Sequence, residues 1–264
     1  MKNKILSHLP GEFPWQVHWF NTIDSTNTHA KTLAEQGAPH GTLVIAAQQT
    51  NGRGRMGRSF SSPAEKGIYL SVILRPDCTA ESLMHLTCAV GTAMCNAIQA
   101  VCDFRPGIKW INDLIACNKK LGGILTELSI DPTSGLVRYA IIGIGINRSQ
   151  TQEDFPVEIR DIAISLEMIC KKTIPADLLI AAMILELQNM DKNLLLYRNE
   201  ITNAYRKDCI TLGSDVVILQ TDSEQYGQAV DVDENGSLIV KLSDGKMKTV
   251  NSGEVSVRGL YGYT

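Results

Sequence analysis

From Gly52 to Arg58 the chain reads Gly-Arg-Gly-Arg-Met-Gly-Arg, a pattern suited to holding an anion. Glycine lets the backbone approach a ligand closely and turn through positive φ. The N–H groups of such a turn can point at phosphate or carboxylate oxygens. Each arginine adds a planar fork of donors matched to the same oxygens. A competing reading is a solvated basic turn, or an Arg/Gly tail that binds nucleic acid. Such tails are long, repeated and terminal, whereas this segment is single and lies between two strong strand patterns.

Four further segments carry groups that could work with it. Lys109-Trp110-Ile111-Asn112-Asp113 places a cation, an amide and a carboxylate together, and these could bind phosphate and hydrated Mg²⁺. The same Asn-Asp also suits a plain turn, with Lys109 a surface cation. Lys119-Lys120-Leu121-Gly122-Gly123-Ile124-Leu125 opens a strand with lysine and follows it with glycines that admit a ligand to the backbone. A β-bulge beside an ordinary lysine reads equally well. Asp24-Ser25-Thr26-Asn27 could bind a polar ligand head at a helix N-terminus, where the first N–H groups are free, or could simply cap that helix. Gly143-Ile144-Gly145-Ile146-Asn147 is too apolar for a dinucleotide loop, which needs a strand-to-helix turn. It reads as a tightly packed strand ending in a polar residue.

The elements that must position these groups follow from pattern. Strands are predicted at Gln16–Phe20, Thr42–Gln48 and Ile68–Leu74, with a helix from Asp24–Thr26 to Gln36 and Gly37 as its C′ residue. Thr50–Pro63 is a long loop without apolar periodicity, and such loops are usually functional. Ala80–Val101 has helical spacing. Ile108–Ile111 and Leu114–Cys117 flank an Asn112-Asp113 turn. Lys120–Leu128 and Val137–Ile146 are strands, followed by helices near Ile159–Cys170 and Pro175–Arg206. After Gly213 short strands at Val216–Leu219, Tyr226–Val232, Ser237–Leu242 and Lys246–Val250 alternate with the hairpin turns Asn235-Gly236 and Asp244-Gly245. The expected class is α+β: a mixed-sheet domain over residues 1–210 and a small antiparallel β-barrel over 211–264. An apolar Val137–Ile146 strand at a sheet edge would pair two copies into a homodimer.

Composition narrows the field. The 264 residues carry a net charge of −3, without the strongly basic balance of a nucleic-acid binder. No apolar run reaches the roughly 20 residues that span a bilayer, and the N-terminus lacks a secretory h-region, so a cytoplasmic, membrane-free protein is expected. The 7 cysteines form no Cys-x-x-Cys pair, which argues against a disulfide framework or zinc site. Cys88, Cys95 and Cys102 share a helical face and read as core residues.

Taken in order and spacing, Asp24–Asn27, Gln49-Thr50-Asn51 with Gly52–Arg58, Lys109–Asp113, Lys120–Leu125 and Gly143–Asn147 resemble the catalytic module of bacterial biotin–protein ligases (biotin–[acetyl-CoA-carboxylase] ligases). The resemblance runs from about Ile23 to Leu166 and continues more weakly in the C-terminal unit. It implies the biotin/lipoate ligase fold followed by an SH3-like barrel. It also implies an enzyme that converts biotin and ATP, with Mg²⁺, into biotinyl-5′-AMP and passes biotin to a lysine of a biotin carboxyl carrier protein. By resemblance Ser25, Thr26, Asn27 and Gln49 face biotin, and Arg53, Gly54 and Arg55 close over biotin and the adenylate. Lys120 reaches the carboxylate and α-phosphate, and Lys109 contacts phosphate. Asn112, Asp113 and Asn147 serve ATP, with Asp113 toward Mg²⁺. Two positions depart from the usual pattern: Ile111 replaces a proline and Phe60 stands near the place of a tryptophan. Repressor members carry an N-terminal DNA-binding domain, for which the pattern starting at residue 23 leaves no room, so no DNA binding is expected. A lipoate ligase or octanoyltransferase is the nearest rival.

Overall fold

The computed structural model describes residues 1–220, 223–251 and 256–259. A seven-stranded mixed sheet organises the larger part, in the order β1-β2-β3-β7-β6-β5-β4. These strands are β1 (Gln16–Ile23), β2 (Thr42–Gln49), β3 (Gly67–Leu74), β4 (Gly107–Lys109), β5 (Asp113–Ala116), β6 (Lys119–Ile130) and β7 (Val137–Asn147). β1 and β2 are parallel, joined through helix α2 (Thr26–Glu35), and the remaining neighbours are antiparallel.

Strand alternation splits the apolar residues between two faces. Leu43, Ile45, Val72, Leu74, Ala140 and Ile142 enter the main core with α3 (Leu86–Cys102) and α5 (Ala176–Asn193). Val44, Ile73, Tyr139 and Ile141 face α2, with Ala30 and Ala34. Both faces of β3 are therefore buried, which explains its nearly unbroken apolar run. Cys88, Cys95 and Cys102 lie buried on α3 as free thiols, and burial pushes the Cys95 and Cys102 thiols up to about 12.

Several elements differ from the sequence expectation. A short helix α1 (Lys2–Ser7), which the sequence did not announce, buries Ile5 in the core. A 3₁₀ turn at Glu81–Leu83 precedes α3 in place of one helix from Ala80. Only Leu166–Cys170 is helical within Ile159–Cys170 and forms α4. The stretch before α4 pairs with β6 instead, through Lys120 N to Ile162 O at 2.7 Å and Ile164 N to Lys120 O at 3.0 Å. The long helix expected to Arg206 is two helices, α5 and α6 (Arg198–Asp208). At the break, the Leu194 carbonyl is taken by buried His85 at 2.9 Å, and Arg198 reaches Asn235 at 3.0 Å. The Val137–Ile146 strand is not an edge: β7 lies between β3 and β6, and its backbone is committed on both sides. The argument for a homodimer through that strand is thereby removed.

After α6, strands β8 (Asp215–Gln220), β9 (Ser223–Val232), β10 (Leu238–Leu242), β11 (Met247–Val250) and β12 (Ser256–Gly259) form an antiparallel sheet in the order β11-β10-β9-β8-β12. Gly236 and Gly245 take positive φ, 83° and 86°, in the two expected turns. Trp110 ties this sheet to the larger part by donating from Nε1 to Gly236 O at 2.9 Å. Among the described residues, no helix is long and apolar enough to cross a membrane.

His40, just before β2, meets Asp191 on α5 at 2.8 Å, and this bond raises the imidazole above its ordinary value of 6.5. Stability from the pair is therefore full below pH 6.5 and fades as pH rises through the elevated pKa. The pair is partly exposed, so its contribution is small, about 0.5 kcal/mol. Urea denaturation of wild type and Asp191→Asn between about pH 5 and 8 should show this loss in the wild type and not in the variant.

Candidate active site beneath the arginine loop

The face of the sheet that packs on α2 changes character along its length. At one end it carries Ile73, Tyr139 and Ile141. At the other, the same register rows present Ser71 opposite Gly143 opposite Leu125, and Tyr69 opposite Gly145 opposite Gly123. Glycine at 123, 143 and 145 removes the side chains that would fill the face. The space is used by neighbours: a methyl group at 143 would overlap the Asn27 amide, and one at 145 would come within 2.6 Å of the Phe60 ring. The result is a narrow cleft on the α2 side of the sheet, walled by these neighbours and open to solvent.

The cleft is lined by residues from six separate segments, among them Ser25–Asn27, Gln49, Arg53–Arg55, Asn112 and Lys120. Ser25 is the N-cap of α2, accepting from Thr28 N at 3.4 Å, so it caps the helix and also lines the cleft. The Gln49 carbonyl accepts from Thr26 N at 2.8 Å and from Thr26 Oγ1 at 3.0 Å, while its amide donates to Ser62 Oγ at 2.8 Å. Ser71 Oγ lies 2.8 Å from Thr26 Oγ1 and 2.6 Å from Asn27 Oδ1. A single hydroxyl proton serves one acceptor at a time. The floor is therefore a connected polar network in which Ser25, Thr26, Asn27 and Ser71 are all at most 4% exposed.

Opposite this floor stands positive charge. Lys120 Nζ donates to Asp113 Oδ1 at 2.7 Å, and Asn112 Nδ2 donates to the same oxygen at 3.2 Å. Arg55 Nη1 donates to Asn112 Oδ1 at 2.8 Å, and burial pulls its guanidinium below the ordinary arginine value. Arg53 forms a two-point pair with Glu127, at 2.9 and 3.2 Å. The loop that carries both arginines folds on itself as a flap. Arg53 bridges to Ser59, Gly54 N donates to Arg58 O at 2.7 Å, and Phe60 N donates to Gly52 O at 2.9 Å. The Phe60 ring forms one wall of the cleft, edge-on to Tyr69 with centroids 6.4 Å apart.

Most of the residues singled out from sequence thus converge, and three, Lys109, Asp113 and Asn147, stand apart from the cleft lining. Lys109 ends β4 and pairs in register with Asp113. Asn147 is buried, its amide spent on the carbonyls of Lys120 and Ile164 at 3.3 and 3.1 Å. Asp113 is turned to Lys120, and among the described residues no group of His, Cys, Asp and Glu could hold a metal by itself. Sequence reasoning missed Ser71 and Glu127. Ser71 was legible as the one polar residue within the apolar run Ile68–Leu74, and Glu127 as a charge two positions beyond Leu125 on the same strand face.

Comparison with known proteins places this architecture. Residues 19–147 match the biotin/lipoate A/B protein ligase family, and residues 211–258 match the biotin protein ligase C-terminal domain. The bifunctional ligase/repressor BirA of Bacillus spizizenii is 34% identical over 244 residues, which cover 90% of this chain and 72% of that protein. The biotin–[acetyl-CoA-carboxylase] ligase of Mycobacterium tuberculosis is 31% identical over 88% of this chain and 85% of its own length. The chain belongs to the biotin protein ligase family. The biotin protein ligase of Aquifex aeolicus, solved in complex with biotin and ATP, superposes with a TM-score of 0.79 at 29% identity, covering 94% of this chain and all of that one. The mixed sheet with its small antiparallel C-terminal sheet is accordingly the fold of this ligase family, and the chain is one of its enzymes.

In this ligase the glycine-cleared face makes a sharp prediction. Gly143→Ala is expected to displace Asn27, lowering biotin affinity at least tenfold and stability by about 1–3 kcal/mol. Isothermal titration and thermal unfolding of the variant check both.

Proposed function

We propose that this ligase joins biotin to a carrier-protein lysine in two steps. In the first, a biotin carboxylate oxygen attacks the α-phosphorus of ATP. The bond to the β-phosphate oxygen breaks, its electron pair leaves with pyrophosphate, and biotinyl-5′-AMP remains. In the second, a deprotonated lysine amine attacks the acyl carbon, the bond to the AMP oxygen breaks, and an amide forms. The amine's surplus proton passes to solvent.

The observation that carries this reading is the meeting of Lys120, Arg53 and Arg55 at a cleft whose floor is uncharged and hydrogen-bonding. Two anions must approach within bonding distance in the first step, and their repulsion is offset only by fixed positive charge. Lys120 is aimed by Asp113, and Arg55 by Asn112, so neither has to reorganise as charge develops at phosphorus. The Ser25, Thr26, Asn27 and Gln49 network suits a neutral polar head such as the biotin ureido ring. Mg²⁺ enters with ATP as part of the substrate: one carboxylate, Asp113, plus phosphate oxygens is an ordinary donor set for it. Lys109 and Asn147 belong to this reading at the nucleotide end, Lys109 toward phosphate and Asn147 as a brace for the backbone of Lys120. The flap shields the mixed anhydride from water.

The same reading divides the chain into a catalytic unit, 1–210, and a C-terminal unit, 211–264. The match of the C-terminal family from residue 211 supports that division. The acceptor is a biotin carboxyl carrier domain. A net charge of −3 suits a protein acceptor better than nucleic acid. Seven unpaired thiols and dependence on ATP suit the cytoplasm.

ATP–pyrophosphate exchange is expected with biotin and not with lipoate, and exchange with lipoate alone would overturn the assignment. Lys120→Ala is expected to lower the exchange rate about 10²–10³-fold, because a fixed cation facing the reacting anions is lost. Arg55→Gly is expected to speed release of biotinyl-5′-AMP more than it slows its formation, measured by chasing labelled adenylate from the two proteins.

A further inference from the structure

We propose that Glu127 is a positioning residue for the flap: its carboxylate ties the flap's Arg53 to the cleft floor's Asn27 and so holds the flap across the cleft mouth. This rests on the reading of the cleft as the site of biotin activation and adds to it a residue that touches neither substrate. Glu127 lies on β6 opposite Ile141 and two positions beyond Leu125. Strand alternation therefore directs it to the α2 side of the sheet, the side that carries the cleft. There Oε2 accepts from Asn27 Nδ2 at 3.0 Å and from Arg53 Nη1 at 3.2 Å, while Oε1 accepts from Arg53 Nη2 at 2.9 Å. One carboxylate thus spans two elements that the chain separates by a strand and a loop.

Glu127 itself does not line the cleft. It lines a separate groove, together with residues 51–59 and Leu125. Its influence on the cleft must therefore pass through Arg53 and Asn27, both of which do line it. The flap's bonds from Gly54 to Arg58 and from Phe60 to Gly52 are internal and set its shape without fastening it to β6. Arg53–Glu127 supplies that fastening, and Arg55–Asn112 fastens the other arginine. The Arg53 and Glu127 side chains are 41% and 30% exposed, so water competes for the pair and the tie can release when the flap opens. The Asn27 bond keeps the carboxylate aimed while it is free. A latch of this kind acts on how long the intermediate is retained, whereas a carboxylate that only stabilised β6 would change the melting temperature and leave retention alone.

Glu127→Gln retains the shape and an acceptor for Asn27 but loses the charge that pairs with Arg53. The rate at which biotinyl-5′-AMP leaves the protein should rise about tenfold. The KM for biotin should rise more than kcat for exchange changes, and thermal unfolding should stay near wild type. Tryptic cutting within residues 53–58 of the ligand-free protein should also accelerate, a readout independent of catalysis. Asp154→Asn, which removes the Lys66 ion pair at the protein surface, serves as the control and should match wild type on every measure. If Glu127→Gln releases adenylate and is cut by trypsin at wild-type rates, the latch does not exist. Should Glu127→Gln fail to fold, Glu127→Asp, whose carboxylate is drawn back by one methylene, should show the same changes to a lesser degree, and wild-type behaviour there overturns the proposal equally. A wild-type protein without biotin-dependent exchange overturns the reading of the cleft itself, an outcome separate from normal exchange with an inert Glu127.

Discussion

A sheet packed on both faces has no room for a ligand unless side chains are removed from it. Here that clearance is made by Gly123, Gly143 and Gly145, neighbours in register on the side of the sheet that faces α2. Every other feature of the site depends on it. The Asn27 amide lies where a methyl at 143 would stand, and the Phe60 ring leans over 145. Ser71 replaces an apolar residue on the next strand and bonds Thr26 and Asn27 into one network. Further along the same face, Ile73, Tyr139 and Ile141 close the core against α2 and keep that helix rigid behind its N-terminus.

Charge is arranged around this cleared floor by pairing. Lys120 is held by Asp113, Arg55 by Asn112 and Arg53 by Glu127. Unpaired cations at a partly buried site would repel one another and stay solvated, and their directions would be poorly defined. Asp113 and Glu127 belong to strands β5 and β6, and Asn112 to the turn that leads into β5, so the geometry of the cations follows from the sheet. The loop from Gly52 to Phe60 is shaped by its own backbone bonds and held to the rest of the site through Arg53–Glu127 and Arg55–Asn112.

Much of this was legible in the sequence because it is local. The Gly-Arg alternation of 52–58, the capping run at 24–27, the glycine-spaced strand at 143–147 and the turns at Asn235-Gly236 and Asp244-Gly245 each report a backbone requirement within a few residues. Their order along the chain was enough to suggest the family. What misled was also local: the apolar texture of 159–170 and 175–206 suited continuous helices, yet Lys120, His85 and Asn235, remote in sequence, claimed backbone or side-chain groups there.

The sequence by itself determined the residue types and the local shapes: which segments could bend close to a ligand, which carried cations, and which alternated as strands. Only the tertiary structure decided which of them meet. The strand 137–147 reads as well for an edge as for an interior position, and pairing with β3 and β6 made it interior. Glu127 and Ser71 are unremarkable as single letters and acquire their roles from register, which places them beside Arg53, Asn27 and Thr26. Asn147 and Lys109, which belong to the same motifs as cleft residues, lie outside the cleft lining: the Asn147 amide is spent on the Lys120 and Ile164 carbonyls, and Lys109 sits on β4 at the end of the sheet. The physical reason is that hydrogen-bond register and side-chain alternation act across the sheet, between residues that the chain keeps far apart.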